Sequence, residues 1–276
     1  MTTMERTAAE GTTGQTLNDP FFQVPRTTFQ STQGPVDLPI FYYDTSVLQA
    51  FFLPERSRVE RLLAGTGLVP ALTIGQRALA GIACYEYRHS TVGSYNEVGV
   101  AVAVCRDGEQ LRLSGWGDLL STMKDPESRH VAFHILDLPV TTTTANAAGR
   151  EIWGYPKFVT DIPFRLERRD FACSVLAPGT QEPIMELAGR VGPSVPVGPV
   201  GLTLLSFHDG QLVRATVNAR GPARLATPGS LRLKVGRNRH PMGERLLELG
   251  LDGAAPFAVS WTHAFQSRLN AGTVID

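Results

Sequence analysis

The chain has 276 residues, 42% of them hydrophobic and 19% charged, enough to bury a sizeable core as one large domain or two small ones. Its 26 basic and 26 acidic residues cancel, which excludes the basic footprint of a nucleic-acid binder and a polybasic membrane anchor. Among the basic residues only Lys124, Lys157 and Lys234 are lysines, and a lysine, unlike an arginine, can be tuned into a nucleophile.

In chain order, residues 1–20 hold Thr, Gly and Glu without an apolar stretch and read as a disordered leader, neither signal peptide nor anchor. A single domain is expected over 21–276. Residues 38–43 read as a strand, with Asp44 as N-cap of a helix over 45–52. Pro54 opens a second helix in which Val59, Leu62 and Leu63 share a face and Gly65 is the stop. Strands at 77–87 and 97–104, joined by a polar turn, are expected to be neighbours in one sheet. A helix follows at 116–123, a strand at 130–140, and a helix over 141–152 that ends against Pro156. Strands are then expected at 158–167, 171–176, 184–190, 202–207 and 211–217, a helix at 242–250 and a final strand in 256–265. The Pro- and Gly-rich cluster at 189–201 reads as a loop within the domain. About ten strands and a few short helices imply an α+β fold, its large antiparallel or mixed β-sheet closing into a barrel-like core with the helices packed outside.

Cys84, Cys105 and Cys173 lack any Cys-x-x-Cys spacing, which argues against a disulfide framework and a structural zinc site and makes a reducing cytoplasm the simplest setting. His130 and His134 would share one face of a strand or helix, but no third ligand accompanies them. The basic stretch of Arg232, Lys234, Arg237, Arg239, His240 and Arg245 reads as a solvated loop beside a helix, with phosphate or an acidic carrier as the alternative. No GxSxG elbow, P-loop or GxGxxG fingerprint is present.

Lys157 stands apart. Its neighbours Trp153, Tyr155, Phe158 and Val159 would bring the ammonium against an aromatic, poorly solvated surface, and desolvation lowers a lysine pKa toward the value an attacking amine needs. A lysine that lays its stem on the aromatics and extends its head to water is the structural alternative. Gly149-Arg150-Glu151 followed by Tyr155-Pro156-Lys157 resembles the lysine motif of the acetoacetate decarboxylase superfamily, in which the Lys after Tyr-Pro or Phe-Pro forms a Schiff base. Ser94-Tyr95-Asn96-Glu97 and Gly221-Pro222-Ala223-Arg224-Leu225 resemble two further segments of that family, so the resemblance covers roughly 35–265.

The resemblance implies a cofactor-independent, homo-oligomeric lyase acting on a keto acid or related carbonyl compound, with Lys157 as nucleophile and Glu97 as proton shuttle. Trp153 would form a pocket wall or pack in the core, and Arg150 and Glu151 would form a structural pair. Three positions depart from the family: Phe158 replaces a second Lys, and Gly34 and Ile82 stand where the decarboxylases carry an Arg and a Glu. A substrate larger or less acidic than acetoacetate fits those departures. Decarboxylation is the leading expectation, with aldolase- or dehydratase-type Schiff-base chemistry, or a non-catalytic small-molecule binder, as alternatives. The Arg-, Ala- and Gly-rich composition suits a high-GC bacterium and a role in secondary metabolism.

Overall fold

A computed structural model describes residues 19–108 and 131–275. The helix expected at 116–123, His130, Lys124 and nearly all of the leader lie outside the described residues. Seventeen strands and three short helices are described: β1 (Thr27–Ser31), β2 (Gly34–Leu38), β3 (Ile40–Phe52), α1 (Arg56–Leu62), β4 (Leu68–Pro70), β5 (Ala80–Ser90), β6 (Tyr95–Arg106), β7 (Ala132–Asp137), α2 (Thr143–Trp153), β8 (Phe164–Glu167), β9 (Asp170–Leu176), β10 (Pro183–Arg190), β11 (Ser194–Val197), β12 (Leu202–His208), β13 (Gln211–Arg220), β14 (Ala223–Ala226), β15 (Arg232–Val235), α3 (Pro241–Glu248), β16 (Ala258–Leu269) and β17 (Thr273–Ile275).

The main sheet runs β16-β3-β5-β6-β7-β12-β13, and a further pairing of β13 with β16 closes these seven strands into a barrel. All its pairings are antiparallel except β7 with β12, so the sheet is mixed. A second sheet, β15-β10-β9-β8, covers part of the barrel's outside. The central strands are therefore buried on both faces. On β6, Tyr95, Glu97, Gly99 and Ala101 face the barrel interior, while Val98, Val100, Val102 and Val104 pack outward against Phe171, Val175, Leu187 and Leu233 of the second layer. Strands covered on both sides read as continuous apolar runs, which is why 97–104 shows no polar alternation.

That double burial also corrects the helix expected over 45–52. Residues 45–52 continue β3, paired with β16 on one side and β5 on the other, with register shifts at Tyr42, Asp44 and Thr45. Leu48, Ala50 and Phe52 fill the outer core while Val47, Gln49 and Phe51 face inward, a two-residue period that a helix could not satisfy. The strand expected over 158–167 is shortened to β8, and β16 is followed by one more short strand, β17. The cluster at 189–201 contains β11 and carries the chain from the second sheet to the first. In the basic stretch, Arg232 and Lys234 lie on β15, His240 caps α3, and Arg245 pairs with the buried Asp137, so only part of it is loop. No helix among the described residues is long and apolar enough to cross a membrane.

His134 on β7 donates from Nδ1 to the Leu205 carbonyl at 3.2 Å, and its ring meets Phe207 edge-on, which is a packing role. Burial holds its imidazole below the ordinary 6.5, and burial likewise lowers His240 and His263. The folded state thus favours neutral imidazoles, and the unfolded chain binds more protons as pH falls through about 6.5, so stability is fully present above that pH and lost below it. Urea midpoints are expected to fall between pH 7 and 5, with a smaller fall in His134→Gln, and an equal fall in both proteins would assign the loss to other groups.

Candidate active site

Helix α2 delivers the reactive segment. Thr142 caps its start by accepting from the Ala145 N–H, and Gly154 ends it in a left-handed turn at φ 67°. A Cβ on Gly154 would stand 2.2 Å from the Phe207 carbonyl oxygen, so conformation and space both require glycine there. Beyond the turn, the Leu138 N–H donates to the Pro156 carbonyl at 3.2 Å and Arg150 Nη1 donates to the Lys157 carbonyl at 3.0 Å. The Lys157 backbone is thereby held from β7's end and from the helix before it.

The side chain of Lys157 turns into the barrel and is 6% exposed. Its Nζ donates to Glu97 Oε2 on β6, itself 7% exposed, and lies 6.0 Å from the centre of the Tyr95 ring. The other carboxylate oxygen, Oε1, accepts from the Tyr87 hydroxyl at 3.3 Å. A buried ion pair of this kind is a weak source of stability, because two charges have lost water to form it. It does allow a proton to pass from Nζ to Oε2, leaving a neutral amine beside a neutral acid with no net charge created in the cavity.

Gly149 makes room for the lysine stem. A Cβ at this position would fall 2.1 Å from Lys157 Cε and 2.4 Å from Cδ, so any side chain there displaces the amine. Glycine inside a helix costs about 1 kcal/mol relative to alanine, and here it keeps the path to Glu97 open.

The barrel encloses a cavity of about 510 Å³ with Lys157 and Glu97 on its wall. Both are the charged side chains found there among the described residues. Around them sit Tyr42, Tyr95 and Tyr155, with the hydroxyls of Tyr42 and Tyr95 3.0 Å apart. Burial, then the Glu97 charge, raises the phenols of Tyr42 and Tyr155 well above 10, so each stays protonated and can donate. The rest of the wall is almost wholly apolar, including Ile135, Leu204 and Val217.

The structure brings the expected residues together. Lys157 and Glu97 are in contact. Trp153 lies on the cavity wall, is fully buried, and donates its Nε1–H to the Asn270 carbonyl at 3.1 Å. Arg150 and Glu151 do not pair with one another. Arg150 holds the Lys157 carbonyl, and Glu151 accepts from the backbone N–H and hydroxyl of Thr32 in the β1–β2 turn. Phe158, in place of a second lysine, packs on the His240 ring, whose centre is 4.8 Å away. Gly34 is the first residue of β2, opposite Ser31, and Ile82 packs in the outer core. The parts not assigned from sequence are Gly149, Tyr87 and the Tyr155 hydroxyl; a glycine in a helix interior was the one local signal among them.

Solved structures share this fold at low sequence identity. The acetoacetate decarboxylase of Legionella pneumophila superposes with a TM-score of 0.59 at 15% identity, covering 94% of each chain. The enduracididine biosynthesis enzyme MppR, solved with pyruvate, gives 0.58 at 13% identity over 86% of this chain and 90% of its own. An acetoacetate decarboxylase-like enzyme from Sphingomonas wittichii RW1 gives 0.55 at 14% identity over 87% and 94%. No curated protein matches by sequence. The sequence model of the acetoacetate decarboxylase family matches residues 23–235, which span the barrel strands up to β13, both carboxylate and amine of the site, and the whole second sheet, and the chain belongs to that family.

Proposed function

We propose that this protein is a cofactor-independent Schiff-base enzyme, a lyase in which Lys157 attacks a carbonyl compound and Glu97 moves the protons. The buried Lys157–Glu97 pair, which supplies the charged side chains of the apolar cavity wall among the described residues, carries this reading. One ammonium proton passes to Glu97, and the freed lone pair forms the C–N bond to the carbonyl carbon. A second N–H proton moves to the former carbonyl oxygen, giving a carbinolamine. Glu97 returns its proton to that hydroxyl, which leaves as water, and the nitrogen keeps the third proton as an iminium.

The iminium accepts the electron pair released when an adjacent bond breaks. If that bond holds a carboxylate, carbon dioxide leaves, and the enamine carbon takes a proton that Glu97, having given up its own, draws from the water released in iminium formation, while the hydroxide left behind adds to the iminium and hydrolyses it; this is the reaction the family is named for. If it is a C–H bond, the enamine adds to an aldehyde or expels water. The absence of Arg and His from the cavity wall, among the described residues, favours this second course, since nothing cationic beyond Lys157 awaits a carboxylate.

Glu97→Gln keeps size and hydrogen bonding but removes the proton acceptor. Iminium formation with acetone or acetoacetate, trapped with borohydride, is expected to slow about 100-fold or more. An unchanged rate in a folded variant would remove Glu97 from the mechanism.

A further inference from the structure

The cavity itself says what kind of carbonyl compound it was shaped for. At about 510 Å³ it lies within the ordinary range for small-molecule sites, yet among the described residues its charged groups are confined to Lys157 and Glu97. A substrate carboxylate next to the reacting carbonyl would be buried beside Glu97, with no Arg or His among the described wall residues to receive it. Apolar surface continues from the interior to the outside. Val200, Leu225 and Phe257 belong to the cavity wall and remain 50%, 42% and 48% exposed, so the rim is apolar where a keto-acid site would be expected to present charge.

A second observation concerns the polar end. The Tyr155 hydroxyl is buried and has no hydrogen-bond partner among the described residues, and Tyr155 is one of the residues lining the same cavity as Lys157. Its ring is fixed by stacking on Trp153, with centres 5.6 Å apart and planes at 15°. Buried hydroxyls are ordinarily paired, and a phenol kept protonated is a donor awaiting an acceptor. A carbonyl oxygen on a carbon bound at Lys157 supplies that acceptor.

We propose that the cavity takes a neutral ketone or aldehyde bearing a long apolar chain, with its carbonyl carbon at Lys157 Nζ, its oxygen on the Tyr155 hydroxyl, and its chain along the apolar wall toward Val200, Leu225 and Phe257. The chemistry rests on the Schiff-base reading above, whereas the preference for an uncharged, chain-bearing ligand rests on the cavity. A substrate of this class carries no carboxylate to lose, which selects the carbon–carbon bond-forming or dehydrating course of the iminium.

Methyl ketones from acetone to 2-nonanone, and 2-oxo acids of matching length from pyruvate upward, separate the two ideas when each is incubated with the full chain, reduced with borohydride and weighed intact. The half-saturating ketone concentration is expected to fall by about fourfold per added methylene until the chain reaches the rim. The matched oxo acid is expected to be captured at least tenfold less. Equal capture across chain lengths, or preference for the acid, overturns the substrate class while leaving Lys157 chemistry standing. 2-Nonanol, which cannot form an iminium, is expected to bind by calorimetry; binding without any ketone adduct would uphold the apolar ligand and defeat the Schiff base, and no binding would defeat the apolar ligand. Tyr155→Phe is expected to slow 2-nonanone capture at least tenfold with no loss of thermal stability, because the deleted hydroxyl has no partner among the described residues to leave behind. An undiminished rate removes Tyr155 from the site.

Discussion

Lys157→Met keeps the length of the buried stem and removes the nucleophile, and it is expected to abolish turnover and covalent capture of every carbonyl compound, a loss of about 10⁴-fold or more. Thermal unfolding should change much less than activity. Removing one partner of a buried pair is destabilising, but Glu97 keeps its hydrogen bond from Tyr87 and can take a proton in place of the lysine's charge. Retained turnover in folded Lys157→Met would show that the barrel acts through other groups. The measurement needs both assays on one preparation, because an unfolded variant would also be inactive.

Gly149→Ala gives the sharper contrast, since packing and chemistry predict opposite signs. In the middle of α2, alanine favours the helix by about 1 kcal/mol over glycine, so a purely structural view expects a protein of equal or greater stability and unchanged activity. The added Cβ would overlap Lys157 Cε and Cδ at 2.1 and 2.4 Å, however, and the stem is the softer of the two groups. The amine is then pushed away from Glu97, and a displacement on the order of 1 Å costs about 100-fold in rate. A folded Gly149→Ala protein with a melting point near that of the parent and about 100-fold slower capture is the expected result. Normal capture would mean that the lysine reaches the substrate by another path.

How far the sequence reaches depends on whether a feature is local. Lys157 was singled out by its aromatic neighbours and by the Tyr155-Pro156-Lys157 motif, and Glu97 by a segment 60 residues earlier. The α2 helix and its stop before Pro156 were legible because capping and proline rules act within a few residues. Residues 45–52 misled because Asp44 resembles an N-cap and the run that follows lacks a polar alternation. Only pairing with both β5 and β16 makes it a strand, and both partners are distant in sequence. Barrel closure by β13 and β16 is likewise a long-range event with no local signature.

The site shows the same division. With Phe158 in place of a second lysine, the sequence suggested that desolvation must activate Lys157. The structure adds what sequence spacing could not: a carboxylate at the amine, a tyrosine holding that carboxylate, a helix glycine clearing the stem, and a buried phenol of the cavity lining with no partner among the described residues. Each depends on atoms brought together by the closed sheet rather than on neighbours along the chain.

Peptide mapping after borohydride reduction tests the central claim most directly, because the whole chain contains only Lys124, Lys157 and Lys234 as lysine side chains. Incubation with a neutral methyl ketone, reduction, digestion and tandem mass spectrometry are expected to place one alkyl group, added as a secondary amine, on the peptide containing Lys157, with the other two lysines unmodified. An unmodified Lys157 in folded protein across neutral ketones, aldehydes and keto acids alike, or modification spread equally over Lys124 and Lys234, would contradict it.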